Sequence, residues 1–147
     1  MRIVAVASAG GHWIELLRLR PLFEEHQVTY MSTNPDFAKM VPGAPFYTVP
    51  EASRWNKLRV LYSAYQMFKI MRTIRPDVVI STGAAPGVMG LLVGKLLGCK
   101  TVWIDSICNI EHISMSGRFA ARFCDRVYTQ WPERATKPFL YHGSLLA

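Results

Sequence analysis

Short apolar segments rich in β-branched residues recur along the chain, and a segment with helical periodicity follows most of them. The apolar segments are nearly continuous rather than alternating, which is typical of parallel strands covered on both faces. Strands are predicted at 3–7, 28–32, 46–49, 78–81, 101–104 and 126–129. Strands that alternate with helices predict a mostly parallel sheet with right-handed crossovers and helices on both faces, a Rossmann-like α/β fold whose sheet ends at 126–129.

The helical segments lie between these strands. We predict one helix over 13–25 with a kink at Pro21, a short turn at 36–40, and helices at 57–74, 86–97 and 116–123. The 147 residues suit one domain of ordinary size, and no linker or internal repeat divides them. We therefore expect a single Rossmann-like domain over residues 1–147.

Composition restricts the kinds of partner. Lys and Arg outnumber Asp and Glu by 17 to 10, and the resulting formal charge of +7 favours an anionic partner such as acidic lipid or a phosphorylated substrate. No nucleic-acid-binding module accompanies this charge, so we predict no nucleic-acid partner. The three cysteines form no CxxC pair and no Asp-x-Asp pair occurs, so the sequence predicts neither a metal site nor a cofactor.

Membrane-spanning segments are not expected. The apolar run at the N-terminus is interrupted at 10–12 and is too short for the core of a signal peptide. The most apolar stretch, 87–97, is about half as long as a bilayer span. Any membrane contact is therefore expected to be peripheral.

A glycine-containing turn follows the first predicted strand. Ser8, Gly10 and Gly11 lead into His12, where glycines permit a tight turn and close approach of a ligand, and the first N–H groups of a helix favour an anion. The turn lacks both the dinucleotide fingerprint and the P-loop pattern. A histidine at the carboxyl end of a strand can act as a general base in the ligand crevice of such a fold. A turn that needs glycine for steric reasons alone is the alternative.

A second turn of this kind follows the strand at 78–81. Thr82 and Gly83 belong to it, and parallel strands bring it to the same edge of the sheet as the first turn. Two such turns together favour a phosphate-bearing ligand, whereas the alternative is that the small residues only let the next helix pack.

The helix at 57–74 has two different faces. One apolar stripe is predicted to pack on the sheet and contains Val60, Ala64, Met67, Met71 and Ile74. Another side combines cations with leucines and aromatic rings, a mixture suited to an anionic bilayer surface. We predict that its membrane-binding residues are Lys57, Leu58, Leu61, Tyr65, Phe68, Lys69 and Arg72, with Arg54 as a further cation. A groove for a partner protein and an ordinary core helix with a wide apolar arc are the alternatives.

The C-terminal third carries polar residues at the same predicted edge. Asp105 ends a strand, and Glu111 lies in the irregular segment after it; both are candidates for orienting a substrate hydroxyl, with helix capping or a solvated charge as the alternatives. The tail from 141 onward contains leucines for which the sequence offers no packing partner, and we expect them to be exposed.

Several landmarks together resemble one family. They are the segments 7–12, 77–83, 114–117 and 129–133, in that order along the chain. The family contains bacterial exopolysaccharide glycosyltransferase subunits of the PssD type and the membrane-recruiting subunit of the eukaryotic enzyme that adds the second N-acetylglucosamine to dolichyl diphosphate. The glycine-histidine turn alone is also shared by MurG-like enzymes.

The resemblance implies the N-terminal, acceptor-side half of a split GT-B glycosyltransferase. A separate PssE-like chain would bind the UDP-sugar donor, and the acceptor would be a polyprenyl-diphosphate-linked saccharide at the cytoplasmic face of the inner membrane. His12 would be the base or acceptor-positioning residue, with Asp105 as a second catalytic candidate. We expect the donor-binding chain to contact Trp131, Gly143, Leu145 and Leu146. A non-catalytic membrane adaptor and a free-standing nucleotide-binding protein are the other readings.

Overall fold

The computed structural model describes residues 1–51 and 56–145, and within them the chain forms a seven-stranded sheet. The strands are β1 (Arg2–Ala7), β2 (Gln27–Ser32), β3 (Phe46–Thr48), β4 (Val78–Gly83), β5 (Lys100–Ile104), β6 (Arg126–Thr129) and β7 (Phe139–Tyr141). Every pairing is parallel, and the order across the sheet is β3-β2-β1-β4-β5-β6-β7. The predicted Rossmann-like parallel sheet is therefore confirmed.

The sheet has a switch point between β1 and β4. The chain runs outward from β1 through β2 to β3, then returns and continues from β4 to β7. In an open parallel sheet a crevice forms at the carboxyl ends of the two strands on either side of such a reversal. Ala7 at the end of β1 and Gly83 at the end of β4 are register partners, so the turns that follow both strands meet at this crevice.

The helices are α1 (Gly11–Leu17), α2 (Arg20–Phe23), α3 (Lys57–Ile74), α4 (Ala85–Leu96) and α5 (Met115–Ala120), with 3-10 turns at Pro35–Met40 and Pro132–Arg134. The prediction of one kinked helix over 13–25 is wrong. Pro21 lies in the first turn of α2, where a proline is favoured because its missing N–H needs no helical partner. The proline therefore starts a second helix instead of bending the first.

The sheet also continues beyond the last predicted strand. β7 lies parallel to β6, with Val127 opposite Phe139 and Thr129 opposite Tyr141. β7 has only three residues, as β3 does, so its sequence gives only a weak signal of a strand. The expectation that the sheet ends at 126–129 is therefore wrong.

The two faces of the sheet bury separate apolar clusters. Along β1, Ile3 and Ala5 face the cluster around α1, whereas Val4 and Val6 face the cluster that contains residues of α3 and α4. This alternation follows from the two-residue period of a strand. α4 lies so close to the sheet that a Cβ at Gly94 would come within 2.7 Å of Val79 Cγ2.

The long helix α3 has the bounds that the sequence predicts. The side chain of Asn56 caps its start, with Oδ1 accepting from the Arg59 N–H at 3.1 Å. Met67 and Met71 of the predicted stripe are fully buried. Because a crossover helix returns the chain from the carboxyl edge of a parallel sheet to its amino edge, α3 begins at the edge where the crevice lies.

Candidate functional site

A cavity of about 570 Å³ opens at the crevice between β1 and β4. It is lined by the turn after β1 with the first part of α1, by the turn after β4, and by the loop between β5 and α5. His12, Glu15, Arg18 and Asp105 are among its lining residues. Titratable groups therefore gather where doubly wound sheets bind ligands.

The two glycine-containing turns lie side by side, as the order of the strands requires. The Ser8 N–H donates to Gly83 O at 2.8 Å. The Thr82 hydroxyl donates to His12 O at 2.6 Å. Because Thr82 is only 1% exposed, this hydroxyl is used to fix the start of α1 against β4.

His12 has a defined ring orientation. Its Nδ1 lies 3.1 Å from Thr82 O, and a carbonyl oxygen can only accept, so Nδ1 carries the proton and Nε2 is the free acceptor of the neutral ring. The side chain is 34% exposed and lines the cavity. This tautomer is the one that can accept a proton from a bound hydroxyl.

Gly83 leaves the space that the His12 ring occupies. Its φ is +128°, and a Cβ at this position would come within 2.6 Å of His12 Nδ1. Both the backbone conformation and the close approach of the ring therefore require glycine here.

The first turn leaves open space beside its glycines. Gly10 has a φ of +89°, and a Cβ added at Gly10 or Gly11 would meet no other atom within 4 Å. Both residues are exposed, and α1 begins at Gly11. The turn can thus be approached closely by a ligand, as the sequence predicts for this turn.

Glu15 is a buried acid that the sequence analysis did not single out. Its Oε1 accepts from the Ile107 N–H at 2.7 Å, from Gln130 Nε2 at 3.0 Å and from the Ser106 hydroxyl at 3.4 Å. Its Oε2 lies 4.0 Å from His12 Nδ1. The spacing of three residues on α1 is the signal that could have found it, because residues three apart on a helix share a face.

Asp105 is 1% exposed and holds the loop between β5 and α5. One carboxylate oxygen accepts from Trp103 Nε1 at 3.0 Å and from the Ser114 hydroxyl at 2.5 Å. The other accepts from Asn109 Nδ2 and from the Ser114 N–H, each at 3.1 Å. Since protein donors occupy both oxygens, the geometry favours an anchor for the loop over a group that contacts the substrate.

Glu111 lies on the same loop, and its side chain is exposed and outside the cavity lining. Its backbone oxygen accepts from Arg134 Nη1 at 2.7 Å. The structure therefore does not bring Glu111 together with His12.

Gln130 connects three segments through one buried amide. Its Nε2 donates to Glu15 Oε1 and to Asp105 O, both at 3.0 Å. Its Oε1 accepts from the Leu145 N–H at 2.9 Å. The amide thus joins α1, the end of β5 and the C-terminal tail.

The tail is docked at Leu145. Arg18 Nη1 donates to Leu145 O at 3.1 Å, and the leucine side chain packs against the cluster around α1. The expectation that the tail leucines are exposed is therefore wrong for Leu145, because its backbone has partners on both sides; Leu146 lies outside the described residues.

The other two residues expected to contact a donor-binding chain differ in burial. Gly143 is exposed with a φ of +111°. Trp131 is half-buried, and its indole N–H donates to Ile107 O at 2.7 Å.

The outer side of α3 exposes apolar side chains to solvent. Leu58 is 80% exposed, Leu61 65% and Tyr65 57%, and Tyr62, which the sequence analysis passed over, belongs to the same group at 55%. Lys69 Nζ lies 5.5 Å from the centre of the Tyr65 ring. We call the exposed residues 57, 58, 61, 62, 65, 69 and 72 the α3 surface.

Two predicted members of this group do not join it. Phe68 is half-buried and packs against the apolar cluster that contains Met67 and Met71, so its assignment to the exposed side is corrected. Arg54 lies outside the described residues.

The described residues contain neither a cluster of metal ligands nor a helix that could span a membrane. Over 1–51 and 56–145, His, Cys, Asp and Glu side chains form no group of three or more that could hold a metal ion. In the same part of the chain, each helix is too short or too polar to cross a membrane.

Comparison with known proteins identifies the family. The family described as "Oligosaccharide biosynthesis protein Alg14 like" matches residues 48–145. The chain belongs to the Alg14-like family. The protein named "UDP-N-acetylglucosamine transferase subunit ALG14" from Yarrowia lipolytica is 30% identical to this Alg14-like chain, over 99% of this chain and 81% of that protein. The human protein of the same name is 29% identical, over 90% of this chain and 76% of that protein.

Solved structures share the fold of this Alg14-like chain. Acinetobacter baumannii MurG matches with a TM-score of 0.78 and 16% identity, over 96% of this chain and 45% of MurG. The UDP-N-acetylglucosamine 2-epimerase of Rickettsia bellii matches with a TM-score of 0.73 and 10% identity, over 99% of this chain and 45% of the epimerase. The chain thus spans about half the length of either protein. The expectation of a Rossmann-like domain equivalent to one half of a GT-B glycosyltransferase is confirmed.

Proposed function

We propose that this chain is the acceptor- and membrane-binding subunit of a two-chain GT-B glycosyltransferase. The two-chain enzyme would have two substrates. A PssE-like partner chain would bind the donor, a UDP-sugar, and this chain would bind the acceptor, a polyprenyl-diphosphate-linked saccharide. We assign it to the PssD type, in exopolysaccharide or capsule biosynthesis at the cytoplasmic face of the inner membrane, with residues 1–147 as one acceptor-side domain. The pair would be active and the isolated chain inactive.

The observation that carries this proposal is the position of His12. The ring lies at the switch-point cavity, and its contact with Thr82 O leaves Nε2 as an acceptor. In an inverting transfer the acceptor hydroxyl attacks the anomeric carbon and the bond from that carbon to UDP breaks. The proton of the hydroxyl passes to Nε2, and the bonding electrons leave with UDP. Gly10, Gly11 and Ser8 would face the diphosphate of the acceptor lipid.

Similarity to known proteins supports the same proposal. The relatives in the Alg14-like family are named as subunits of a UDP-N-acetylglucosamine transferase, and the chain covers about half of MurG. A subunit that supplies one of two Rossmann-like halves fits both facts. The contacts expected for the donor-binding chain are Trp131, Gly143 and the tail leucines.

The proposal is tested by co-expressing the chain with the reading frame next to its gene. Sugar transfer is then measured with several UDP-sugars and polyprenyl-diphosphate-linked acceptors for three preparations: the purified pair, the isolated chain and the isolated partner. We expect transfer by the pair only. Tight binding of a nucleotide sugar by the isolated chain, or transfer by the partner alone, would contradict the proposal. Full activity of a partner tethered artificially to the membrane would favour the non-catalytic adaptor instead.

The α3 surface is expected to bind anionic membranes. Replacing Leu58 and Tyr65 by serine should weaken binding to vesicles containing anionic lipid by about tenfold or more, because both exposed side chains lose apolar area that would enter the headgroup region. Binding should also weaken as salt is raised, since cations at 57, 69 and 72 flank the apolar residues. Vesicle sedimentation measures both effects.

Leu96 provides a matched control for this experiment. It is 81% exposed on α4, so Leu96→Ser removes the same exposed apolar group as Leu58→Ser from a different helix. We expect Leu96→Ser to bind vesicles like the unmodified chain. Equal binding to neutral and anionic vesicles would refute the electrostatic part of the prediction. An equal loss of vesicle binding in the single variants Leu58→Ser and Leu96→Ser would refute the assignment to the α3 surface.

A further inference from the structure

The buried carboxylate of Glu15 has one oxygen committed and one directed at the cavity. Three donors surround Oε1: the Ile107 N–H, Gln130 Nε2 and the Ser106 hydroxyl. Oε2 lies 4.0 Å from His12 Nδ1. Glu15 is 7% exposed, and the three contacts fix its carboxylate in one place beside the imidazole.

We propose that Glu15 is the positioning residue of His12, and that its fixed negative charge stabilises the imidazolium formed during sugar transfer. This inference rests on the proposed function. When Nε2 takes the proton of the acceptor hydroxyl, both ring nitrogens carry protons and the ring becomes a cation. The proton on Nδ1 stays on the ring and remains hydrogen-bonded to Thr82 O. The nearby carboxylate of Glu15 lowers the energy of the new positive charge.

Glu15 also holds the opposite wall of the cavity. Its contacts to Ser106 and Ile107 place the start of the loop that Asp105 anchors further along. A purely structural residue would need only these contacts. The added claim is that the charge itself acts on His12, and the two roles predict different effects of substitution.

The charged and titratable side chains that line the cavity around His12 lie on two elements. They are Glu15 and Arg18 on α1, and Asp105 and Cys108 on the loop after β5. The adjoining turn of β4 presents the uncharged residues Thr82 and Gly83. Arg18 is bonded to Leu145 O, and donors surround the carboxylate of Asp105, so Glu15 is the acid best placed to act on the ring.

Two variants separate charge from contact. Glu15→Gln keeps the size and an acceptor oxygen for the three donors but removes the charge, whereas Glu15→Asp keeps the charge and shortens the side chain. We expect kcat of the pair to fall by about tenfold or more in Glu15→Gln, with KM changed by less than about threefold, and to fall less in Glu15→Asp. Thermal stability should follow the opposite order, because Glu15→Gln preserves the contacts.

Glu25 supplies a matched control for the kcat measurement. Glu25→Gln makes the same chemical change at an exposed site near the end of α2, and kcat of the pair should stay unchanged.

The outcomes separate this inference from the proposed function. If the unmodified pair transfers no sugar, or if His12→Ala transfers normally, the proposed function fails, and the positioning role that rests on it fails with it. Equal kcat in Glu15→Gln and the unmodified pair, while His12→Ala loses transfer, would overturn the positioning role alone. Failure of Glu15→Gln to fold while Glu15→Asp folds would also overturn it, because the charge would then serve the fold.

Discussion

Replacing His12 by alanine is expected to lower the rate of sugar transfer by the reconstituted pair by about 10²- to 10⁴-fold, the usual contribution of a general base. The substitution removes the Nε2 acceptor of a ring that the contact with Thr82 O holds in place, while the Thr82 hydroxyl keeps its bond to the backbone oxygen of residue 12. The α1 start therefore stays attached to β4. Transfer kinetics measure the loss, and circular dichroism with gel filtration checks that the pair remains folded and assembled.

His26 is the matched control for this prediction. It precedes β2 at the amino edge of the sheet, away from the cavity, and its Nδ1 lies 3.3 Å from the N-terminal amine. His26→Ala removes the same side chain and is expected to leave transfer unchanged. Normal turnover by His12→Ala would defeat the assignment of the base, and an equal loss in both variants would show that the effect is not local to the cavity.

The second large effect is expected at Asp105. Replacing it by alanine should lower the free energy of unfolding by about 3 kcal/mol or more, because breaking a buried network leaves its donors without partners. The carboxylate accepts four hydrogen bonds, including one from the indole of Trp103, which is 1% exposed. Urea unfolding followed by tryptophan fluorescence measures the change.

Asp36 supplies the comparison for Asp105. It is exposed in the 3-10 turn at Pro35–Met40, so Asp36→Ala is expected to change the free energy of unfolding by less than about 0.5 kcal/mol. If Asp105→Ala unfolds at the same urea concentration as the unmodified chain but no longer supports transfer, the residue contacts the substrate after all. Loss of stability together with loss of transfer would fit its role as an anchor.

The long elements were predictable because their signals are local. α3 has its predicted bounds because an 18-residue periodic segment begins after a capping Asn56 and ends before Pro76. β7 was missed because three residues give only a weak signal; β3 is equally short in the structure, but the apolar run that predicted it extends to Val49. The segment at 13–25 was read as one helix because both of its halves favour helix, and only the position of Pro21 separates them.

The site was predictable only in part, for a related reason. The turns at Gly10 and Gly83 could be placed together because parallel strands bring their carboxyl ends to one edge. Glu15 could not be found in the same way, because its partners Ile107 and Gln130 lie 92 and 115 residues further along the chain. The spacing of three residues from His12 places Glu15 on the same face of α1, but it does not distinguish an acid held by such distant donors from a solvated one. For the same reason the docking of Leu145 was unforeseen.

The direction of α3 has a consequence for how a water-insoluble acceptor would be found. The helix starts at the rim that carries His12, so its most exposed leucines, Leu58 and Leu61, lie in its first two turns at that rim. If these leucines rest on a leaflet, the proposed enzyme and its lipid-linked acceptor diffuse in the same plane. Their encounter then becomes a two-dimensional search, and its rate depends on the density of both molecules per unit of surface instead of their concentration in solution.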